Sequence, residues 1–241
     1  MQRNTPIGPL ELSTGPVVVY RVGYQPEPFS WTHWEYANDG RFDGRWDDPD
    51  GVYRTLYVGE SLLGCLLEVL ADFRSDPVLM NELDAIDDSD GQDGEFPTLR
   101  AGTVPTSWLK TRVAGAALLS GEFVDLRSAA TLAALRTRFG GMAVGLGLPD
   151  LDAAAVKLSG LRPLTQAISS WCYRHLKPPV SGVCFASRFG DFLTLKAAFE
   201  REQSGEYGGA TFADVRPVEL AMDSPEVLQA FAIHGLTWTD G

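Results

Sequence analysis

The stretch that most limits how this chain can fold runs from Arg41 to Leu70, RFDGRWDDPDGVYRTLYVGESLLGCLLEVL. A glycine-punctuated loop carries Arg41, Gly44, Arg45 and Trp46, and Gly51 closes a turn signal. Thr55 to Val58 then alternate and are rich in strand formers. Gly59 lets the backbone turn, and Ser61 is placed to cap a following helix. On that helix Leu62, Leu66, Val69, Leu70 and Phe73 recur at helical spacing and form a core-facing stripe. Ser61, Gly64, Cys65, Glu68 and Asp72 form a second stripe of mostly small side chains, over which Glu68 projects. By spacing alone, a solvated glutamate beside a core face is the plainer reading, and a functional carboxylate is the sharper one.

A resemblance shifts the balance toward the second. A strand ending in Tyr20-Arg21, then Gly44-Arg45-Trp46, Leu56-Tyr57-Val58, Ser61 and Leu67-Glu68-Val69, resembles the RES domain from Val17 to Leu70. The match is looser from there to about Phe199. That family is best known as the toxin of Res–Xre toxin–antitoxin pairs. The resemblance implies a compact α+β fold, with mixed and antiparallel sheets flanked by helices, related to ADP-ribosyltransferases. It also implies cleavage of the nicotinamide–ribose bond of NAD and an Xre-type antitoxin as protein partner. Arg21, Arg45, Tyr57 and Glu68 fall on its motif positions. The family serine has two candidates, Thr165 before Gln166 at a helix start and Ser187 after a late strand. Asp47 stands where the family usually has Asn, which places an extra carboxylate near an anionic substrate.

The chemistry of NAD matches that set. Nicotinamide leaves as positive charge builds on the ribose, as in other oxocarbenium-like transition states. Cationic donors are needed for the pyrophosphate, a ring for stacking, and a carboxylate near the ribose. Arg21 and Arg45, with Arg41 nearby, offer the first. Tyr57 offers stacking or a hydroxyl contact, Trp46 adds a ring to the binding set, and Glu68 serves the ribose. NAD is then substrate rather than cofactor, with inorganic phosphate or water as acceptor. Two other readings keep much of this: an ADP-ribosyltransferase that modifies a protein, and a non-catalytic domain that binds a nucleotide or a protein.

The chain has 241 residues, 44% of them hydrophobic, enough for one sizeable core, and a single domain is expected with its core over about 16–220. Its net charge of −12 repels phosphate backbones and argues against direct nucleic-acid binding. No apolar run approaches the roughly 18 residues of a membrane span, and no basic, apolar signal segment opens the chain; a soluble cytoplasmic protein is expected. Cys65, Cys172 and Cys184 lack CxxC spacing and read as reduced core thiols. The histidines are widely separated, and neither Asp43–Asp50 nor Asp84–Glu95 fits a calcium loop, so no metal is expected. Homo-oligomerisation is left open.

Along the chain, residues 1–15 read as a loose lead-in, and Val17–Tyr20 as a strand with Arg21 at its end. The aromatic segment Tyr24–Asn38 is a packed surface loop or a stacking lid. The texts LRAGTV, WLKTRV and EFVDL read as strands between Thr98 and Leu126. Ser128 caps a helix over Thr131–Phe139, stopped by Gly140 and Gly141; GGMAVGLGLPD lacks phosphate-loop spacing and reads as a connection. Thr165–Leu176 is a helix ended by Pro178 and Pro179, Val180–Ala186 and Phe192–Leu195 are strands, and Val215–Leu220 is a last strand. A final helix lies within 224–235, between Ser224 and Gly235.

Overall fold

A computed structural model describes residues 1–75, 101–201 and 209–240. Strands β1 (Gln2–Thr5), β2 (Gly8–Ser13), β3 (Val17–Tyr24) and β4 (Thr55–Gly59) precede helix α1 (Leu62–Val69). Then come β5 (Thr103–Pro105), α2 (Ser107–Thr111), β6 (Arg112–Ser120), β7 (Phe123–Asp125) and α3 (Ala129–Gly145). The chain continues with α4 (Arg162–His175), β8 (Gly182–Ser187), β9 (Gly190–Phe199), β10 (Thr211–Val218), α5 (Pro225–His234) and β11 (Thr237–Thr239). This is an α+β architecture. Among the described residues, nine strands form one sheet in the order β1-β2-β7-β8-β9-β4-β3-β6-β10, and β11 pairs with β5 separately. Every neighbouring pair of the large sheet is antiparallel except β7 with β8.

One seam in the sheet matters for function. β3 and β4 are joined by a single pair, Tyr20 opposite Gly59, so the two strands part where β3 continues to Tyr24. Backbone groups at a parting seam still need partners. Arg21 supplies one, donating from Nη1 to the Tyr57 carbonyl at 2.8 Å.

The unit from β4 to α1 forms as its residues dictate. Ser61 is extended, and its Oγ accepts from the Gly64 N–H at 3.1 Å, satisfying one orphan donor of the first turn. Leu66 and Leu67, 0% and 1% exposed, anchor α1 in a core shared with α5 through Val227 and Phe231. Each such side chain contributes about 1.5–3 kcal/mol relative to exposure. A second core joins α3 and α4 to the sheet through Leu135, Ile168 and Val183.

Several sequence expectations need correction. Residues 1–15 are not a loose lead-in: β1 and β2 form a hairpin, Leu10 and Leu12 are buried, and the Glu11 N–H donates to Thr131 Oγ on α3 at 2.9 Å. Arg21 lies inside β3 rather than at its end, opposite Gly115. WLKTRV is half helix, and the adjoining strand is Arg112–Ser120, whose Ala- and Gly-rich text is held between β3 and β10. Helix α3 runs through Gly140 and Gly141 to Gly145, with Gly147 beyond it at φ 86°. The Ser128 hydroxyl makes no cap bond. Helix α4 starts at Arg162, three residues before Thr165. The acidic stretch Asp84–Glu95 lies outside the described residues.

Candidate active site

The loop Gly44-Arg45-Trp46-Asp47 is fastened from three directions. Asp47 Oδ2 accepts from the Gly44 N–H at 2.6 Å, and its Oδ1 accepts from the Tyr57 hydroxyl at 2.9 Å. That same hydroxyl accepts from the Trp46 N–H at 2.9 Å. Helix α4 completes the clamp: Gln166 Nε2 donates to the Gly44 carbonyl at 3.0 Å, and Ser169 Oγ donates to the Trp46 carbonyl at 2.6 Å. A Cβ at position 44 would lie 2.5 Å from both Asp47 Oδ2 and Tyr57 Oη, so glycine is required by close approach. Burial pushes the Asp47 carboxyl up, against the Tyr57 and Gly44 hydrogen bonds. Burial, with Asp47 adding to it, also lifts the Tyr57 phenol well above its ordinary range and keeps it protonated. Asp47 therefore spends its oxygens on the loop.

The clamped loop delivers Arg45. Its Nη1 donates to the carbonyls of Val156 and Lys157 at 3.3 and 3.1 Å, and its guanidinium lies 4.8 Å from the centre of the Phe185 ring. Burial lowers its pKa, while the Glu68 carboxylate favours its charge. Arg21 donates from Nε to the Pro28 carbonyl at 2.5 Å as well as to Tyr57. Burial brings it down to about 10, which leaves it cationic at neutral pH.

Glu68 comes from the last turn of α1. Its Oε1 accepts from the Ser187 hydroxyl at 2.6 Å, and Ser187 Oγ accepts from the Phe189 N–H at 3.0 Å. Ser187 is 1% exposed, so its rotamer is set by packing and this pair of bonds. Below Glu68 on the helix, Cys65 donates from Sγ to the Tyr20 carbonyl at 3.0 Å. Burial pushes that thiol up to about 12, which makes it a poor nucleophile.

These groups surround one cavity of about 550 Å³ at the β3–β4 seam. Among the described residues, Arg21, Arg45, Arg112, Arg162 and Arg188 line it against two carboxylates, Glu68 and Asp72. A chain of net charge −12 thus carries a locally cationic hollow. A hollow of this charge balance can accommodate an anion, and Glu68 can face a developing cation. A second cavity of about 730 Å³ has the opposite balance, Glu60, Glu219 and Glu226 against Arg216. It repels phosphate.

The structure thus brings Arg21, Arg45, Tyr57 and Glu68 to one cavity, with Ser187 bonded to Glu68. Three sequence candidates lie elsewhere. Arg41 is exposed, and among the described residues its guanidinium reaches only the Pro49 carbonyl, at 3.5 Å. Trp46 is fully buried, 5.3 Å from Phe185, and serves as the loop's anchor in the core. Thr165 is buried inside α4, where its hydroxyl donates to the Arg162 carbonyl at 3.1 Å. Reading from sequence missed Arg112, Arg162 and Arg188. Only Arg188 carried a signal, its place directly after Ser187 in the β8–β9 turn.

Among the described residues, no group of three or more His, Cys, Asp or Glu side chains could hold a metal ion. No described helix is long and apolar enough to cross a membrane.

A family model described as the RES domain matches residues 18–192. No curated protein matches the chain. Among solved structures, a chain of the M. tuberculosis MbcT-MbcA toxin-antitoxin complex aligns with TM-score 0.48 and 12% sequence identity, over 93% of this chain and 92% of that one.

Proposed function

The chain belongs to the RES domain family, and from that membership we propose that it cleaves the nicotinamide–ribose bond of NAD. The observation that carries the proposal is the meeting of Arg21, Arg45 and Glu68 around one cavity, from three separate parts of the chain. Arg45, together with Arg162 and Arg188 of the same cavity lining, offers cationic donors to the pyrophosphate. Glu68, oriented by Ser187, stabilises the positive charge that builds on the ribose as nicotinamide departs. Tyr57 acts by holding Asp47 and the Trp46 backbone, so it positions Arg45.

In the step itself the ribose C1′–nitrogen bond breaks, and its electron pair leaves with neutral nicotinamide. A phosphate oxygen then bonds C1′ to give ADP-ribose 1-phosphate, or a water oxygen does so and releases a proton to give ADP-ribose. Depletion of NAD arrests growth, which agrees with the toxin role that the RES resemblance implies and with an Xre-type antitoxin covering the cavity. The test is to incubate the purified protein with NAD, with and without inorganic phosphate, and identify products by mass. The expected result is nicotinamide in equal amount to ADP-ribose 1-phosphate or ADP-ribose. NAD recovered intact under both conditions overturns the proposal.

A further inference from the structure

Glu68 sits in the last turn of α1, and His234 sits in the last turn of α5. His234 is 8% exposed, and its Nε2 lies 2.8 Å from the Leu67 carbonyl. A carbonyl only accepts, so Nε2 carries the proton and donates. The Leu67 carbonyl is one of the four at a helix C-terminus that lack an intrahelical partner by construction. It belongs to the residue that precedes Glu68.

The same imidazole has a second contact. Its ring meets the Phe189 ring edge to face, with centroids 4.8 Å apart and planes at 72°. Phe189 is the residue whose N–H donates to Ser187 Oγ, and Ser187 donates to Glu68. One side chain therefore touches both supports of the carboxylate, the backbone that carries Glu68 and the turn that carries Ser187.

We infer that His234 is a positioning residue for Glu68, holding the α1 terminus and the β8–β9 turn at the spacing that the Ser187–Glu68 hydrogen bond requires. It lies beyond residues 18–192, the span that matches the family model. The final helix is then part of the working site rather than an appendage. The inference deepens the proposed NAD cleavage and rests on that reading.

The test compares the native protein with H234F and H234Q. H234F keeps a ring against Phe189 and removes the donor; H234Q keeps a donor for Leu67 and removes the ring. Displacements near 1 Å in a reacting group cost up to about a hundredfold in rate. In H234F the expected result is a fall in kcat for nicotinamide release of roughly tenfold to a hundredfold, with KM for NAD nearly unchanged. H234Q restores most of the loss. A purely structural role predicts a lower Tm in H234F with native kcat per folded molecule, and that result overturns the inference. Crystal structures of the variants give a readout independent of turnover: the Ser187–Glu68 bond opens in H234F and is kept in H234Q. An unchanged bond in H234F overturns the positioning role even if the native protein proves unable to cleave NAD, an outcome that counts against the proposed function instead.

Discussion

Ser187 donates its hydroxyl proton to the Glu68 carboxylate across 2.6 Å, although 119 positions separate the two residues. The bond joins the end of α1 to the end of β8. Both residues are pinned by neighbours: Glu68 by the helix that Ser61 caps, Ser187 by the Phe189 N–H. A carboxylate fixed in this way is oriented before any ligand arrives, which is the condition for strong electrostatic stabilisation of a cation.

The first prediction follows from that bond. E68Q lowers kcat for nicotinamide release by roughly a hundredfold to a thousandfold, the cost of losing a preorganised electrostatic partner. S187A removes the orienting donor and lowers kcat by about tenfold, with less effect on KM. Steady-state kinetics with quantified nicotinamide checks both. Native kcat in S187A contradicts the orienting role.

A second prediction separates two arginines four positions apart. R45M raises KM for NAD by about tenfold to a hundredfold, because a charge-assisted contact contributes about 1.5–3 kcal/mol. R41A leaves KM and Tm unchanged, since its exposed guanidinium reaches only Pro49 among the described residues. The pair is measured side by side; equal effects contradict the placement of the cavity.

Arg21 yields a third. It donates to the carbonyls of Pro28 and Tyr57 across the opened seam of the sheet. R21M leaves both acceptors without that partner and costs roughly 2–4 kcal/mol of folding stability. Chemical denaturation measures it, and a loss below about 0.5 kcal/mol, the scale of neutral surface changes, contradicts the bridging role.

The fourth concerns pH. Burial lifts the Asp47 carboxyl above its ordinary 3.8, against opposing hydrogen bonds. A carboxyl raised on folding binds its proton more tightly in the native chain than in the unfolded one. Its contribution is therefore complete below 3.8 and is lost as pH rises through the raised native value. D47N removes that dependence, so the Tm difference between D47N and native protein moves in favour of D47N as pH climbs through this window. A difference that stays constant with pH contradicts the account.

How much of this was legible depended on whether local signals agreed. The β4–α1 unit was readable because strand alternation, Gly59, the Ser61 cap and the leucine stripe all say the same thing; the structure realises the strand, the turn, the cap and buried Leu62, Leu66 and Leu70, while α1 itself ends at Val69, before Phe73. The β6 strand was hidden, because an Ala- and Gly-rich text has weak strand preference and is extended only through pairing with β3 and β10. The N-terminal hairpin was masked by Pro6, Pro9 and Gly15, although Leu10 and Leu12 alternate into the core. Gly140 and Gly141 looked like a helix stop, yet tertiary packing of Phe139 and Ala143 carries α3 past them.

The site divides along the same line. Arg21, Arg45, Tyr57 and Glu68 could be named because they stand in recognisable order within some fifty residues. Arg112, Arg162 and Arg188 reach the cavity from β6, α4 and the β8–β9 turn, and no spacing marks arginines that only topology assembles. Asp47 looked like a liability beside an anion; its oxygens are instead turned to Gly44 and Tyr57.

The most direct test is a crystal structure of the E68Q variant, chosen because cleavage is expected to be slowed in it, soaked briefly with intact NAD. NAD is expected in the cavity at the β3–β4 seam, its pyrophosphate within hydrogen-bond distance of Arg45 and its nicotinamide ribose beside the position-68 side chain. NAD bound elsewhere on the molecule, or its absence from the cavity at saturating concentration, would contradict it.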